Sequence, residues 1–187
     1  MQQPHDFDPA AAASTAFLPV AVMRCAQRLH HEAPRQPRRD GSPAPGGFVV
    51  VRQGLQNLLR DLGGFSHVWL LFHCHLSRGY NDLVQPPRDE RKRGLFATRS
   101  PTRPNAIGLS AVALLGIHKR VLSVGPHDLL DDTPILDIKP YIPAYDAIGD
   151  ARAGYVEGLD PQADDHRAWW RSAAKAPPRI YRERGVQ

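Results

Sequence analysis

The sequence contains little cysteine and no long hydrophobic segment. Only Cys25 and Cys74 occur among its 187 residues, and they are too far apart to form a Cys-x-x-Cys motif. A disulfide framework is therefore not predicted. No run of roughly 18 apolar residues is present, which argues against a membrane-spanning helix.

Several nucleotide-binding and metal-binding motifs are also missing. The sequence has no Gly-x-Gly-x-x-Gly fingerprint, no P-loop and no His-Glu-x-x-His motif. An ordinary dinucleotide-binding fold and P-loop chemistry are therefore not predicted. His73 and His75 share one face of a predicted strand, but no third ligand is evident in the sequence, so we predict no metal site.

The N-terminal residues do not resemble a secretory signal. Residues 1–15 carry Asp6 and Asp8, and their only apolar run is one of alanine. They lack the basic start and the hydrophobic segment of a signal peptide. We predict a disordered leader over 1–15, and the scarcity of cysteine fits a reducing, cytoplasmic location.

Proline, glycine and positive charge are plentiful. The chain has 18 Pro and 15 Gly, and its net charge is +5. This composition favours short strands and many turns. The positive charge indicates either a polyanionic partner or a solvated basic surface. The charge run at 88–93 is open to the same two interpretations.

The hydrophobic pattern predicts a mostly β protein. Apolar, β-branched segments predict strands at 16–24, 48–52, 66–75, 107–117, 121–124 and 135–139. Leucines at helical spacing predict one amphipathic helix over Gln53–Leu62, and a loop is expected over Ser77–Arg93. We predict a small barrel or a strongly curved sheet over 16–156. Asp160 and Pro161 begin a predicted helix in a C-terminal extension over 157–187.

The segment Gly94–Ser110 contains an unusual bend. It is predicted to begin as a short apolar strand, to break at Pro101 and Pro104, and to continue as a second strand. A simple turn would use Gly, Asn or Asp, whereas here the prolines frame Arg99 and Arg103. Because arginine can hold a phosphate or carboxylate through two hydrogen bonds, the segment predicts a rigid site for an anion or a nucleotide.

The strand predicted at 135–139 carries two opposite charges on one face. Asp137 and Lys139 are two residues apart, so their side chains share one side of the strand. They form either an exposed ion pair of little energetic value or a charged group at the edge of a pocket. Pro140 then stiffens the end of the strand.

Three long segments closely resemble the TsaA-like family, whose characterised members are the TrmO tRNA methyltransferases. They are Phe65–Trp69, Gly94–Ser110 and Asp128–Pro143. Pro34–Gln36 and Asp150–Gly154 match in the same order, so that the resemblance covers residues 17–156.

The resemblance implies a fold, a cofactor and a reaction. The implied fold is a small TsaA-like β-barrel rather than a Rossmann sheet. It would work as a homodimer with S-adenosylmethionine bound near the subunit interface. The implied substrate is N6 of threonylcarbamoyladenosine, at position 37 beside the anticodon of threonine tRNAs that read ACY codons.

The resemblance also implies site residues. The cofactor contacts, many of them through the backbone, would be Pro34, Arg35, Gln36, His75, Leu76, Arg99, Leu109, Asp128, Leu129, Leu130 and Asp131. Because methyl transfer is an in-line displacement, positioning is expected to dominate the chemistry. Asp137 is the candidate proton acceptor. Candidates to orient the modified base are Arg103, Asn105, Lys139 and Tyr141.

The sequence departs from the family pattern at three positions and in its length. Asp132 replaces a usual Gly, Thr102 a usual Phe, and Ala106 a usual Pro. Asp tolerates the left-handed conformation better than most residues, so the turn at Asp132 is expected to survive. The C-terminus is shorter than that of the bacterial members. Two alternatives therefore stay open: a related methyltransferase with another substrate, and a cofactor-binding or RNA-binding module without turnover.

Overall fold

A computed structural model describes residues 15–29, 32, 46–86 and 88–159. It contains eight strands, which are β1 (Ala21–Arg24), β2 (Gly47–Val51), β3 (His67–His73), β4 (Leu83–Val84), β5 (Arg93–Gly94), β6 (Ile107–His118), β7 (Val121–Val124) and β8 (Pro134–Pro140). One short α-helix, α1, spans Pro143–Asp146. The 3₁₀ turns are Gln56–Leu59, Leu62–Gly64, Leu95–Ala97 and Gly154–Gly158. No helix within these ranges is long and apolar enough to cross a membrane.

Six strands close into an antiparallel barrel in the order β1-β2-β7-β6-β3-β8. The barrel closes where β1 pairs with β8, through the two pairs Ala21–Ile135 and Val22–Pro134. β3 and β6 share seven pairs. β4 and β5 form a separate two-stranded ribbon. The mostly β, non-Rossmann barrel predicted from the sequence is thus confirmed.

Alternation along the strands fills the barrel with apolar side chains. Val68, Leu70 and Phe72 of β3 are buried, whereas His67 and His73 of the same strand are exposed. This is the pattern expected of a sheet with one face in the core. The face that carries Val68, Leu70 and Phe72 is therefore the inner face of β3.

Two predicted elements are wrong. Gln53–Leu62 is not an α-helix but two separate 3₁₀ turns, because Gly54 and Asp61 both adopt positive φ, +92° and +66°, and interrupt the backbone. The residues after Gly94 form the 3₁₀ turn Leu95–Ala97 instead of a strand.

The charged loop is more ordered than a solvated connector. Within the segment predicted as a loop, β4 and β5 pair with each other. The Nε of Arg93 donates to Asp89, which is only 5% exposed, at 2.7 Å. The guanidinium of Arg93 also lies 4.5 Å from the ring centre of Tyr155. Part of the charge run is therefore structural.

The predicted leader and extension lie almost wholly outside the described residues. Of the leader only residue 15 is described, and of the extension only residues 157–159. The helix predicted from Asp160 lies outside them as well.

Candidate functional site

A cleft of about 410 Å³ opens at one end of the barrel. It lies where β1 ends, β3 has just ended and the turn between β7 and β8 crosses the barrel. Its lining residues are Arg24, Arg28, His75, Leu76, Asp131 and Asp132. Three of the predicted cofactor residues, His75, Leu76 and Asp131, therefore meet at one cavity. We call this end of the barrel the cleft end.

The turn before β8 is tied to the end of β1. The backbone amide of Cys25 donates to the carboxylate of Asp131 at 3.1 Å, and the amide of Asp131 donates to the carbonyl of Gln27 at 2.7 Å. Arg24 forms an ion pair with Asp132. Asp132 has φ +62°, so this residue does adopt the left-handed conformation that the family's usual glycine would favour. The expectation that the turn survives with Asp132 is confirmed.

The carboxylate of Asp128 is held in place by Ser110. The hydroxyl of Ser110, itself buried, donates to the Asp128 carboxylate at 2.6 Å. Burial raises the pKa of Asp128, while the Ser110 hydrogen bond and the charge of Arg99 act in the opposite direction. Arg99 and Asp128, both predicted cofactor residues, are therefore electrostatic neighbours.

His127 supports the same turn from inside the barrel. It is completely buried, and its Nδ1 accepts a hydrogen bond from the amide of Leu129 at 3.2 Å. Burial lowers the pKa of His127, so the ring is neutral at neutral pH. The side chains of Leu129 and Leu130 are also buried. These two predicted cofactor residues can therefore offer a ligand mainly their backbone groups.

His75 stands at the rim of the cleft, just past β3. Burial, followed by the neighbouring charge of His73, holds the pKa of His75 below its ordinary value. The ring is therefore mainly neutral at neutral pH and can both donate and accept a hydrogen bond. A neutral imidazole suits contact with an adenine or a ribose better than contact with a phosphate.

Arg103 is held by the backbone of its own segment. Its Nη1 donates to the carbonyl of Thr98 at 2.9 Å and, more weakly, to that of Leu95 at 3.4 Å. Its charge also acts on the thiol of Cys74. The structure thus places Arg103 near Cys74, but part of the donor capacity of Arg103 is used to fix the turn.

The other predicted residues lie on the outer face of the barrel wall. Leu109 of β6 and Asp137 of β8 both pair with Leu71 of β3, on opposite sides of it. Because neighbouring strands are about 4.8 Å apart, Leu109 and Asp137 are separated by roughly 10 Å. The carboxylate of Asp137 forms an ion pair with Lys139 at 2.8 Å. Because both side chains are largely exposed, two interpretations stay open: an ion pair of little energetic value, or a charged group at the edge of a pocket.

Tyr141 lies toward the opposite end of the barrel. Its amide donates to the carbonyl of His67, and its ring lies 5.4 Å from that of Trp69. Since β3 has seven residues at about 3.3 Å each, Tyr141 is some 20 Å along the wall from the cleft end. A single subunit therefore does not bring Tyr141 together with His75 and Asp131.

Some candidate residues cannot be placed at the cleft. Pro34, Arg35 and Gln36 lie outside the described residues. Asn105 is exposed in the turn before β6. Within the described part of the chain, no three His, Cys, Asp or Glu side chains are grouped so as to hold a metal ion.

Several residues that shape the site were not predicted from the sequence. Ser110, His127 and Cys74 support the turn and the arginine segment from inside, and Arg24 closes the cleft by pairing with Asp132. An alternating pattern places Ser110 on the inner face of its strand, where an isolated hydroxyl needs a partner. No signal in the sequence pairs Arg24 with a residue 108 positions away.

Comparisons with known proteins bear on the same region. Residues 22–147 match the family described as tRNA-methyltransferase O N-terminal domain. A Pyrococcus abyssi protein described as a probable S-adenosyl-L-methionine-binding protein is 42% identical over 125 residues, which are 65% of this chain and 68% of that protein. The tRNA (adenine(37)-N6)-methyltransferase of Escherichia coli is 37% identical over 152 residues, covering 77% of this chain and 65% of the enzyme.

A solved structure has the same fold. The crystal structure of TrmO from Pseudomonas aeruginosa aligns with a TM-score of 0.64 at 37% identity, covering 76% of this chain and 62% of that one. The chain thus spans slightly less than two thirds of the length of these two bacterial relatives. The family match covers well over half of the chain and contains the whole barrel from β1 to β8, apart from its first residue. The chain therefore belongs to the family of the tRNA-methyltransferase O N-terminal domain.

Proposed function

We propose that this chain is an S-adenosylmethionine-dependent methyltransferase that acts on N6 of the adenine beside the anticodon in tRNA. The observation that carries the proposal is the cleft, where His75, Leu76 and Asp131, each implied as a cofactor contact by the family resemblance, meet around one cavity. The names of the Pyrococcus and Escherichia relatives support the same cofactor and the same reaction.

The residues of the cleft fit the chemistry of the proposed cofactor. A volume of about 410 Å³ lies in the range of small-molecule sites. Carboxylates of Asp131 and Asp132 suit ribose hydroxyls and a cationic amino group, and Arg24 and Arg28 suit a carboxylate. When bound, S-adenosylmethionine would supply a methyl group attached to a positively charged sulfur.

The proton that leaves the target nitrogen needs an acceptor, and we assign this role to Asp137. Its Oδ1 accepts from the amide of Ile138 at 2.9 Å and its Oδ2 faces Lys139. These two contacts fix the direction of the Asp137 carboxylate. The carboxylate is thereby positioned for a nucleobase that approaches along the outer face of the barrel. Lys139 and Tyr141 on the same face would orient that base.

A homodimer would bring the two halves of the site together. The outer face of β3 and β6 carries Leu109 and Ile107, which are 53% and 40% exposed, beside Leu71 and Ala111. An apolar surface of this kind is typical of an interface. If a second copy docks there, its cleft end can approach Asp137, Lys139 and Tyr141, which are remote from the cleft of their own subunit.

The dimer has a matched test. Leu109→Glu should convert the protein to a monomer in sedimentation and abolish methylation, because a buried unpaired charge is costly at an interface. Phe48→Glu is the control for sedimentation alone, since Phe48 is also 53% exposed but lies on β2, on the other side of the barrel and beside Arg24. Equal sedimentation of Leu109→Glu and the wild-type protein would refute this interface.

The finer substrate is part of the proposal. We propose threonylcarbamoyladenosine in threonine tRNA as the substrate and a cytoplasmic location for the protein. Calorimetry with S-adenosylmethionine, followed by methylation assays on threonine tRNA with and without the threonylcarbamoyl group, tests each level. Methylation of the modified tRNA alone supports the full proposal.

Other outcomes separate the alternatives. Cofactor binding without methylation of either tRNA would favour another substrate or a binding module, and absence of cofactor binding would contradict the methyltransferase itself. Asp137→Asn should slow the methyl-transfer step at least about tenfold without changing cofactor affinity. A wild-type rate in that variant would remove Asp137 from the role of base.

A further inference from the structure

Phe96 is an aromatic side chain that the fold presents to solvent. It is 79% exposed and lies in the middle of the 3₁₀ turn Leu95–Ala97. The preceding Leu95 is only 5% exposed and anchors the turn in the protein. An exposed phenylalanine on an anchored turn contributes nothing to the barrel core, so its position calls for another explanation.

The turn that carries Phe96 is rigidly held. The hydroxyl of Thr98 donates to the carbonyl of Leu95 at 2.8 Å, and Arg103 donates to the carbonyls of Thr98 and Leu95. The guanidinium of Arg103 also lies 5.4 Å from the centre of the Phe96 ring. The ring is therefore positioned before any ligand arrives, and such preorganisation lowers the entropic cost of binding.

The surroundings of Phe96 are strongly basic. The connection from β3 to β6, residues 77–106, holds seven Arg or Lys against three Asp or Glu, a net charge of +4 out of +5 for the whole chain. It starts directly after His75 and Leu76, so it adjoins the cleft. A surface of this charge repels a second copy of itself and attracts a phosphate backbone.

We propose that Phe96 is a stacking platform for an unpaired base of the RNA substrate and that Arg103 is the residue that positions it. The inference rests on the proposed tRNA substrate. Proteins hold splayed RNA bases by stacking them on aromatic rings and arginine planes, with basic side chains along the backbone. Ring, guanidinium and basic segment occur together here, next to the cleft that would hold the methyl donor.

The experiment measures binding of a labelled anticodon stem-loop RNA at fixed salt to the intact protein. Phe96→Ala should weaken RNA binding roughly tenfold to a hundredfold, raise KM for tRNA and leave the affinity for S-adenosylmethionine unchanged. Phe96→Tyr should retain binding, whereas Phe96→Leu, which is apolar but cannot stack, should behave as Phe96→Ala does. Phe17→Ala is the matched control, because Phe17 is 63% exposed and lies before β1.

RNAs that lack one loop base at a time identify the stacked base. With the RNA that lacks the stacked base, Phe96→Ala should bind no more weakly than the wild-type protein. The variant and the missing base remove the same contact, so their effects on affinity do not add. The inference is overturned if Phe96→Leu binds as well as wild type, if no missing base cancels the loss, or if Phe96→Ala becomes monomeric. If the wild-type protein methylates tRNA and Phe96→Ala has the same KM for tRNA, only the stacking inference is overturned. If the wild-type protein neither binds nor methylates RNA, the proposed function is overturned as well.

Discussion

At the scale of single residues, buried and half-buried polar groups hold the turn of the candidate site in place. Asp128 lies where ionisation is costly, and a single hydroxyl, that of Ser110, offsets part of this cost. Neither residue could be assigned this role from the sequence, because their contact spans two strands and a turn. The family resemblance nevertheless pointed to this turn, in which Asp131 lines the cleft.

The half-buried carboxyl of Asp128 should make stability depend on pH. Because its pKa is raised in the folded state, the native protein holds this proton more tightly than the unfolded chain. Stability due to Asp128 therefore falls as pH rises from the unfolded pKa through the raised folded pKa. Thermal unfolding followed against pH should show this fall in the wild-type protein and a smaller one in Asp128→Asn. Identical pH profiles for the two proteins would contradict the assignment.

Ser110→Ala should destabilise the protein by about 1–3 kcal/mol at neutral pH, because it leaves the half-buried carboxylate of Asp128 short of a donor. Ser110→Thr, which keeps the hydroxyl, is the control. Urea unfolding at neutral pH measures both. If Ser110→Ala has the stability of the wild type, the hydrogen bond to Asp128 contributes nothing.

Cys74 should react slowly with alkylating reagents. Burial, helped by the charge of Asp128, raises the pKa of its thiol to about 11. Only the thiolate reacts, so at mildly basic pH the rate should be about a hundredfold below that of an exposed cysteine. Iodoacetamide labelling followed by peptide mass spectrometry gives the rate. Rapid labelling of Cys74 in the folded protein would contradict this prediction.

At the scale of elements, periodicity was reliable for strands and misleading for one helix. The alternation in β3 places each side chain on the correct face because a strand has a fixed twofold repeat. Over Gln53–Leu62 the leucine spacing fits a 3₁₀ turn as well as an α-helix. Leu58 is 74% exposed, so no continuous apolar stripe exists there. The positive φ of Gly54 and of Asp61 is what prevents a continuous α-helix here.

The backbone conformation at Ala106, in the segment that carries Arg99 and Arg103, is another feature that the sequence did not predict. This residue has φ +46°, and its amide donates to the carbonyl of Arg103 at 3.1 Å. Proline can adopt neither feature, since its φ is fixed near −65° and it has no N–H. The backbone at this point therefore differs from that of a relative with the usual proline, which the sequence departure alone could not reveal.

The pairing of β3 with β6 should depend on Gly108. A Cβ at this position would lie 2.2 Å from the ring of Phe72, which is itself buried. Gly108→Ala should therefore lower the free energy of unfolding by about 1–3 kcal/mol. Gly116→Ala is a control in the same strand, because no atom lies within 4 Å of its added Cβ. Equal urea midpoints for the two variants would show that the ring yields without cost.

At the scale of the whole molecule, the hydrophobic pattern predicted a small barrel or a strongly curved sheet, but not which strands close the barrel. β1 and β8 are joined by two residue pairs, whereas β3 and β6 share seven. The cleft lies at this narrow junction, with Arg24 and Asp132 on either side of it. Which strands close a barrel depends on contacts between distant parts of the chain, and a single sequence carries no direct signal for those.

S-adenosylmethionine should therefore protect the junction from opening. The amides of Val20 and Met23, which donate to Ile135 at 2.8 Å and Thr133 at 2.9 Å, are the reporters. At a hundred times its Kd the ligand should slow their exchange about a hundredfold, since it stabilises the closed form by about 2.7 kcal/mol. Hydrogen exchange with and without ligand measures this slowing. Protection confined to other strands would place the ligand elsewhere.

The position of the cleft has a consequence for synthesis on the ribosome. One wall comes from residues before position 30 and the opposite wall from the turn at Asp131 and Asp132. More than 100 positions separate Arg24 from Asp132. A nascent chain therefore has no complete binding site until nearly the whole barrel has emerged, and contacts this distant in sequence form late in folding. The ligand would then bind only finished molecules, and its capture would mark the end of folding rather than guide its course.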